Sequence, residues 1–191
     1  MQEFDEIRDY AESVLSEKRF LHTLSVANEA RGLAVIWGAD PQKAYLAGLI
    51  HDIAKEIPFE KSMEMLADAG LTKKFKQMLT EPLVHGPLAA HIAKEKLGIC
   101  DEEVLDAVRY HSTGRLGMSL LEKIIYVADF IEPRRPYQDS KDVGKLARED
   151  LDAAILMQTE RCIKFIIDSG KVLNTQTVDV RNSFLTNRKR G

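Results

Sequence analysis

Apolar residues recur along this chain at helical spacing. Phe4, Ile7, Tyr10, Ala11, Val14 and Leu15 predict a first helix over 3–16, and Phe20, Leu24, Ala27 and Ala30 share one face of a second. The other face of that second helix carries Arg19, His22, Ser25 and Val26, and Gly32 or Gly38 loosens its end. Asp40-Pro41 places an N-cap and a first-turn proline before a run from Ala44 to Ile57 that is apolar nearly all round, the mark of a buried helix, with Pro58 as its stop. Residues 59–69 read as a short amphipathic helix closed by Gly70, and 72–79 as a basic one. Val84-His85-Gly86-Pro87 turns the chain into a helix that runs to Lys96, with His85 ahead of it and Gly98 closing it. Asp101 caps the next, where Val104, Val108 and His111 form one stripe, and Ser112-Thr113-Gly114 ends it. Ser119-Leu120-Leu121-Glu122 is a capping box opening a helix through Ile124, Ile125, Ala128 and Asp129, which Glu132-Pro133 closes. Residues 142–169 read as one last long helical region, followed by a tail over 180–191 whose Arg188-Lys189-Arg190 end reads as solvated. Strand alternation is absent beyond Val172-Leu173 and Thr177-Val178, so the fold class is all-α.

Polar residues break the apolar pattern in a few places. His51 and Asp52 stand side by side in the buried run, and Asp129 lies between Ala128 and Phe130. Burying such groups costs several kcal/mol, roughly, unless each is paired, hydrogen-bonded or bound to metal. Neighbours on a helix diverge by about 100°, so His51 and Asp52 are not expected to satisfy each other. An arginine on Asp52 and a carbonyl on His51 would do so; a metal ion would serve both. Four histidines (His22, His51, His85, His111) and two aspartates (Asp52, Asp129) occupy five separate segments, and one shared cation removes all their penalties together. Imidazole and carboxylate without thiolate suit iron, manganese, cobalt, nickel or zinc better than calcium. His91 falls out of phase with His85 and reads as a non-ligand; Trp37 reads as core.

The bulk numbers narrow the field. The 191 residues suit one domain. A net charge of −3 offers no general grip on nucleic acid. Cys100 and Cys162 match neither a disulfide framework nor a thiolate zinc site, which suits a reducing cytoplasm. The acidic start, Met1 to Glu6, lacks the pattern of a signal peptide, and no apolar run approaches a membrane span. The oligomeric state is not fixed by the sequence; a homodimer is compatible with it.

His22, then His51-Asp52, then Asp129 follow the His…His-Asp…Asp order of the HD-domain phosphohydrolases. The segments Arg19-Phe20-Leu21-His22-Thr23, His51-Asp52-Ile53-Ala54-Lys55, His85-Gly86, His111-Ser112-Thr113-Gly114 and Tyr126 to Pro133 resemble the YqeK family, bacterial HD proteins that hydrolyse diadenosine tetraphosphate symmetrically. The resemblance runs from about residue 18 to about 137 and implies a helical HD bundle with its metal site between helices, the region 142–170 being a helical extension. It implies two divalent transition metals, iron first, with manganese, cobalt or nickel as alternatives. Asp52 would bridge them, His22, His51 and Asp129 would hold one, and His85 and His111 the other. The implied reaction is attack of a metal-activated hydroxide on phosphorus, giving two ADP. Asp52, Lys55 and Arg19 would carry the catalysis. Arg19, Lys55, Arg135, Thr113 and Gly114 would bind the phosphate chain, although spacing alone allows 113–114 to be a plain loop. Readings to set beside this are a single-metal nucleotidase, which would lack His85 and His111, a cyclic-dinucleotide phosphodiesterase, for which a Gly-Tyr-Pro element is missing, and a nucleotide sensor without catalysis.

Overall fold

A computed structural model describes residues 4–135 and 137–188, the side chains of Asn187 and Arg188 excepted. Ten α-helices make up the described chain: α1 Asp5–Val14, α2 Glu17–Trp37, α3 Pro41–Ile50, α4 Phe59–Asp68, α5 His85–Leu97, α6 Glu102–Tyr110, α7 Leu120–Ile131, α8 Gln138–Leu146, α9 Leu151–Asp168 and α10 Thr175–Arg188. The described residues contain no strand.

Side chains set the helix starts as the sequence predicts. Asp40 accepts from the amides of Gln42 and Lys43, Asp101 from those of Glu103 and Val104, and Ser119 and Glu122 complete the capping box. Gly38 and Gly98 end α2 and α5 in the left-handed region. The 21-residue α2 is the spine, packed on α3 and α7. Gly48 explains how closely: a Cβ there would stand 2.6 Å from the Cα of Ala27, so the backbones of α2 and α3 touch. The core between them holds Leu33, Leu49, Ile50, Leu88, Leu105, Ile124, Ile125 and Ile155, all fully buried.

Several expected boundaries are corrected. The buried run does not stay helical to Ile57: α3 ends at Ile50, and residues 51–56 are turns closed by bonds to the third residue back, such as Lys55 N–H to Asp52 O at 2.8 Å. Residues 72–79 form turns and one 3₁₀ turn, Lys76–Met78, in place of a helix. His85 is the first residue of α5 and does not precede it. The region 142–169 is two helices, because Asp150 caps a new start by accepting from the Ala153 amide. The tail reading of 180–191 also changes. Residues up to Arg188 lie in α10, whose Val180 and Phe184 are buried against the core. Residues 189–191 lie outside the described residues, as do 1–3 and 136.

Candidate metal centre

Helix ends build the site. His22 projects from α2, His51 and Asp52 follow the end of α3, His85 opens α5, His111 follows the end of α6, and Asp129 lies near the end of α7. Their side chains converge. Asp52 Oδ2 lies 3.8 Å from His22 Nε2 and 3.6 Å from His51 Nε2, while its Oδ1 lies 3.3 Å from His85 Nε2 and 3.7 Å from His111 Nε2. Each carboxylate oxygen therefore faces its own pair of histidines. Asp129 Oδ1 stands 3.1 Å from His22 Nε2 and 3.9 Å from His51 Nε2. The Nε2 atoms of His85 and His111 approach to 3.0 Å. His51 Nε2 and Asp52 Oδ2 stand 3.6 Å apart, too far for a hydrogen bond, so the two neighbours border one cluster without satisfying each other, as the sequence predicts.

Second contacts set the rings. His51 Nδ1 donates to the Gly48 carbonyl at 2.6 Å, and His111 Nδ1 to the Val108 carbonyl at 2.7 Å. Both use a carbonyl that the end of a helix leaves free. A carbonyl accepts only, so the proton sits on Nδ1 and each Nε2 turns a lone pair toward Asp52. Glu132, buried, places Oε1 3.2 Å from His22 Nδ1 and does the same for that ring.

Burial pushes His51, His85 and His111 down from the usual imidazole value, His111 to about 4, so these rings are neutral at pH 7. Burial also lowers His22, but Asp129, Glu132 and Asp52 outweigh it and raise the ring. Burial would raise Asp52 and Asp129. In acid, where the rings of His51, His85 and His111 become charged, they hold Asp52 down together with Lys55, and His22 and Arg135 hold Asp129 down, so both carboxylates stay ionised.

This donor set fits a divalent metal. His22 Nε2 and His51 Nε2 are buried without a hydrogen-bond partner, an arrangement that costs stability unless a cation accepts their lone pairs. His22, His51 and Asp129, and again His51, Asp52 and His111, bring three ligand atoms within 4.8 Å of one another. The arginine and carbonyl contacts considered from sequence are also present, yet they satisfy one Asp52 oxygen and one His51 nitrogen each and leave the inner Nε2 atoms unmatched.

Cations rim the cluster. Arg19 Nη1 reaches Asp52 Oδ2 at 2.9 Å, and Arg135 Nη2 reaches Asp129 Oδ1 at 2.8 Å. Lys55 Nζ lies 3.2 Å from His85 Nε2, and burial lowers its ammonium despite Asp52 and Asp129. Thr113 and Gly114 are not brought to the cluster. The Thr113 hydroxyl is fully buried and donates to the Gly114 carbonyl at 2.9 Å, and Gly114 packs beneath Val180. Ser112, which sequence reasoning passed over, puts Oγ 3.0 Å from His111 Nε2 and 3.3 Å from His85 Nε2. Glu132 reads in the sequence as a helix stop, yet its carboxylate lies against His22; its place one residue after an apolar helix is the available signal. His91 stays apart, lining a cavity of about 420 Å³ with Phe75 and Arg109, and Trp37 donates to the Ala147 carbonyl at 2.8 Å.

An all-helical bundle with this His, His-Asp, Asp centre is the architecture of one large class, and the HD-domain model matches residues 19–134. The chain belongs to the HD-domain family. Within it, the chain is 40% identical over 157 residues to a protein of Bacillus subtilis (strain 168) named symmetrical bis(5'-nucleosyl)-tetraphosphatase, covering 82% of this chain and 84% of that one. A relative of the same name from Halalkalibacterium halodurans is 38% identical across 92% of this chain and 93% of its own length. A crystal structure from Clostridium acetobutylicum, described as a predicted HD superfamily hydrolase involved in NAD metabolism, superposes with a TM-score of 0.92 at 43% identity, covering 98% of this chain and 99% of that one. Among the described residues, no helix is long and apolar enough to cross a membrane.

Proposed function

We propose that this protein hydrolyses dinucleoside polyphosphates, diadenosine tetraphosphate foremost, by a symmetrical cut that gives two ADP. The observation that carries the reading is the split of Asp52: Oδ2 toward His22 and His51, Oδ1 toward His85 and His111. A carboxylate so placed suits two cations. His22, His51, Asp52 and Asp129 would hold one, and Asp52, His85 and His111 the other, with iron first and manganese, cobalt or nickel as substitutes. The names of the relatives, shared across most of both chains, support the substrate. When bound, divalent ions supply Lewis acidity: they withdraw charge from phosphoryl oxygens and make water nucleophilic near neutral pH.

The protein's own groups do the rest. Arg19 and Arg135 have side chains about one third exposed, 34% and 33%, so each guanidinium can turn from its carboxylate to a phosphate in bidentate fashion. Lys55, held at the buried face beside His85, places a positive charge against the phosphate chain. Ser112 offers a hydroxyl at the His85–His111 side. His51 and His111 stay neutral, and their fixed Nδ1 protons keep both Nε2 lone pairs directed inward. Water adds to one of the two central phosphorus atoms, the bond from that phosphorus to the central bridging oxygen breaks, and each half departs as ADP. Action on free cytoplasmic nucleotide without nucleic acid belongs to the same reading, supported by the net charge of −3.

The test is hydrolysis of diadenosine tetraphosphate in oxygen-18 water, read by mass spectrometry. The expected result is ADP alone, with one label in one of every two molecules. AMP plus ATP would refute the symmetrical cut, and tight nucleotide binding with no turnover under iron, manganese, cobalt or nickel would point to a sensor.

A further inference from the structure

Helix α10 lies outside the residues that match the HD model, yet it reaches the turn bearing His111. Gln176, its second residue, donates through Nε2 to Thr113 Oγ1 at 3.1 Å and to the Gly114 carbonyl. Thr113 Oγ1 donates to that same carbonyl, so one amide group ties two acceptors on consecutive residues. Val180, four residues on and fully buried, packs over Gly114, where a Cβ would come within 3.2 Å of its Cγ2. The start of α10 is itself fixed. Asn174 Oδ1 accepts from the Gln176 amide at 2.9 Å, and Asn174 Nδ2 donates to the Gln77 carbonyl at 2.6 Å.

The held turn is the one that aims the site. From its helix side it is closed by Gly114 N–H to Tyr110 O at 2.8 Å and by His111 Nδ1 to Val108 O. From its outer side it is clamped by Gln176. Between these two restraints lie His111 Nε2 and Ser112 Oγ, both at 3.0–3.3 Å from their partners in the cluster. Metal affinity depends on ligand aim, and supporting groups outside the ligand set fix that aim.

We propose that Gln176 is a positioning residue: by clamping Thr113 and Gly114 it holds His111 and Ser112 toward His85 and Asp52, and so sets the affinity of the ion on the His85–His111 side. This rests on the metal reading of His111. It also gives Thr113 and Gly114 a task, which is to be the handle and not to touch phosphate.

The experiment uses the full chain, stripped of metal and titrated with manganese by calorimetry, with elemental analysis of the loaded protein. Gln176→Ala should weaken the ion on the His85–His111 side about tenfold and leave the other unchanged, and excess manganese should restore its activity. Gln176→Glu, which keeps the length but cannot donate to the Gly114 carbonyl, should behave the same way and covers the case in which the alanine variant does not fold. Arg181→Ala removes the 2.7 Å ion pair of α10 with Glu160 on α9 without touching the turn, and should keep both ions as in wild type. Wild-type affinity for both ions in Gln176→Ala or in Gln176→Glu would overturn the proposal. So would equal loss in Arg181→Ala, which would assign the effect to helix docking in general. Wild-type protein that binds no ion at all would overturn the metal reading beneath it.

Discussion

Glu132 Oε1 lies 3.2 Å from His22 Nδ1, across 110 residues of chain. The contact fixes which ring nitrogen of His22 faces the cluster, because a carboxylate can accept only from Nδ1–H. Glu132 Oε2 also accepts from the Arg134 amide at 2.9 Å, which anchors the carboxylate itself. Glu132→Ala should therefore weaken metal affinity by roughly tenfold to a hundredfold, read by metal titration of the stripped protein. Unchanged affinity would mean that His22 needs no support from behind.

Lys55→Ala separates metal binding from phosphate contact. Lys55 Nζ lies beside His85 but has no lone pair to give a metal while it is an ammonium. Each charge-assisted contact to phosphate is worth roughly 1.5–3 kcal/mol. If it is realised in the transition state, the loss is about tenfold to a hundredfold in rate. The variant should keep its metal and lose activity, whereas His51→Ala should lose both. Loss of metal in Lys55→Ala would contradict the division of roles.

Acid should destabilise the metal-free protein. Burial holds His51, His85 and His111 below the usual 6.5, with His111 at about 4. Unfolded, these rings take up protons between those values that the folded state refuses, so stability is full above 6.5 and falls as pH drops through that window. His22 has the opposite sign: burial pulls it down, but Asp129, Glu132 and Asp52 raise it, so its contribution is present below 6.5 and fades as pH rises through its raised value. Asp52 and Asp129, both held low, lose their contribution in more acidic solution, as pH falls from about 3.8 downward. Three histidines outweigh one, and the urea midpoint of stripped protein should fall between pH 7 and pH 4.5. A flat profile would contradict the neutral, buried state of the three rings. Adding metal at pH 7 should raise the melting temperature, since a ligand of the folded state alone stabilises it.

Gly48→Ala tests the α2–α3 contact that places His22 against His51. Alanine is favoured over glycine in a helix by about 1 kcal/mol, but its Cβ would stand 2.6 Å from the Ala27 Cα, backbone against backbone. Neither helix can yield by a rotamer change, so overpacking should dominate and cost about 1–3 kcal/mol net, visible in urea unfolding. A stabilised variant would show that α2 and α3 can separate freely.

Three candidate ligands were legible in the sequence because each is a polar residue in apolar surroundings. His51, Asp52 and Asp129 stood out in this way, and all lie at the cluster. Helix starts were readable where a side chain caps them, as at Asp40, Asp101 and Ser119. What stayed hidden depends on long-range packing. The α3 run looked helical to Pro58 because periodicity cannot register the tighter turns after Ile50. Helix α10 looked like tail because its apolar contacts are few and widely spaced, with Val180 and Phe184 carrying its buried face. Thr113 resembled a phosphate ligand by its place after His111, and its turning toward Gln176 has no local signature.

Metal counting on purified variants tests the shared centre most directly. Among the described residues, Asp52 alone addresses both histidine pairs, Oδ2 to one and Oδ1 to the other. By elemental analysis, wild type should carry close to two transition-metal ions per chain, Asp52→Ala none, and His111→Ala close to one. Full metal occupancy in Asp52→Ala would contradict the account.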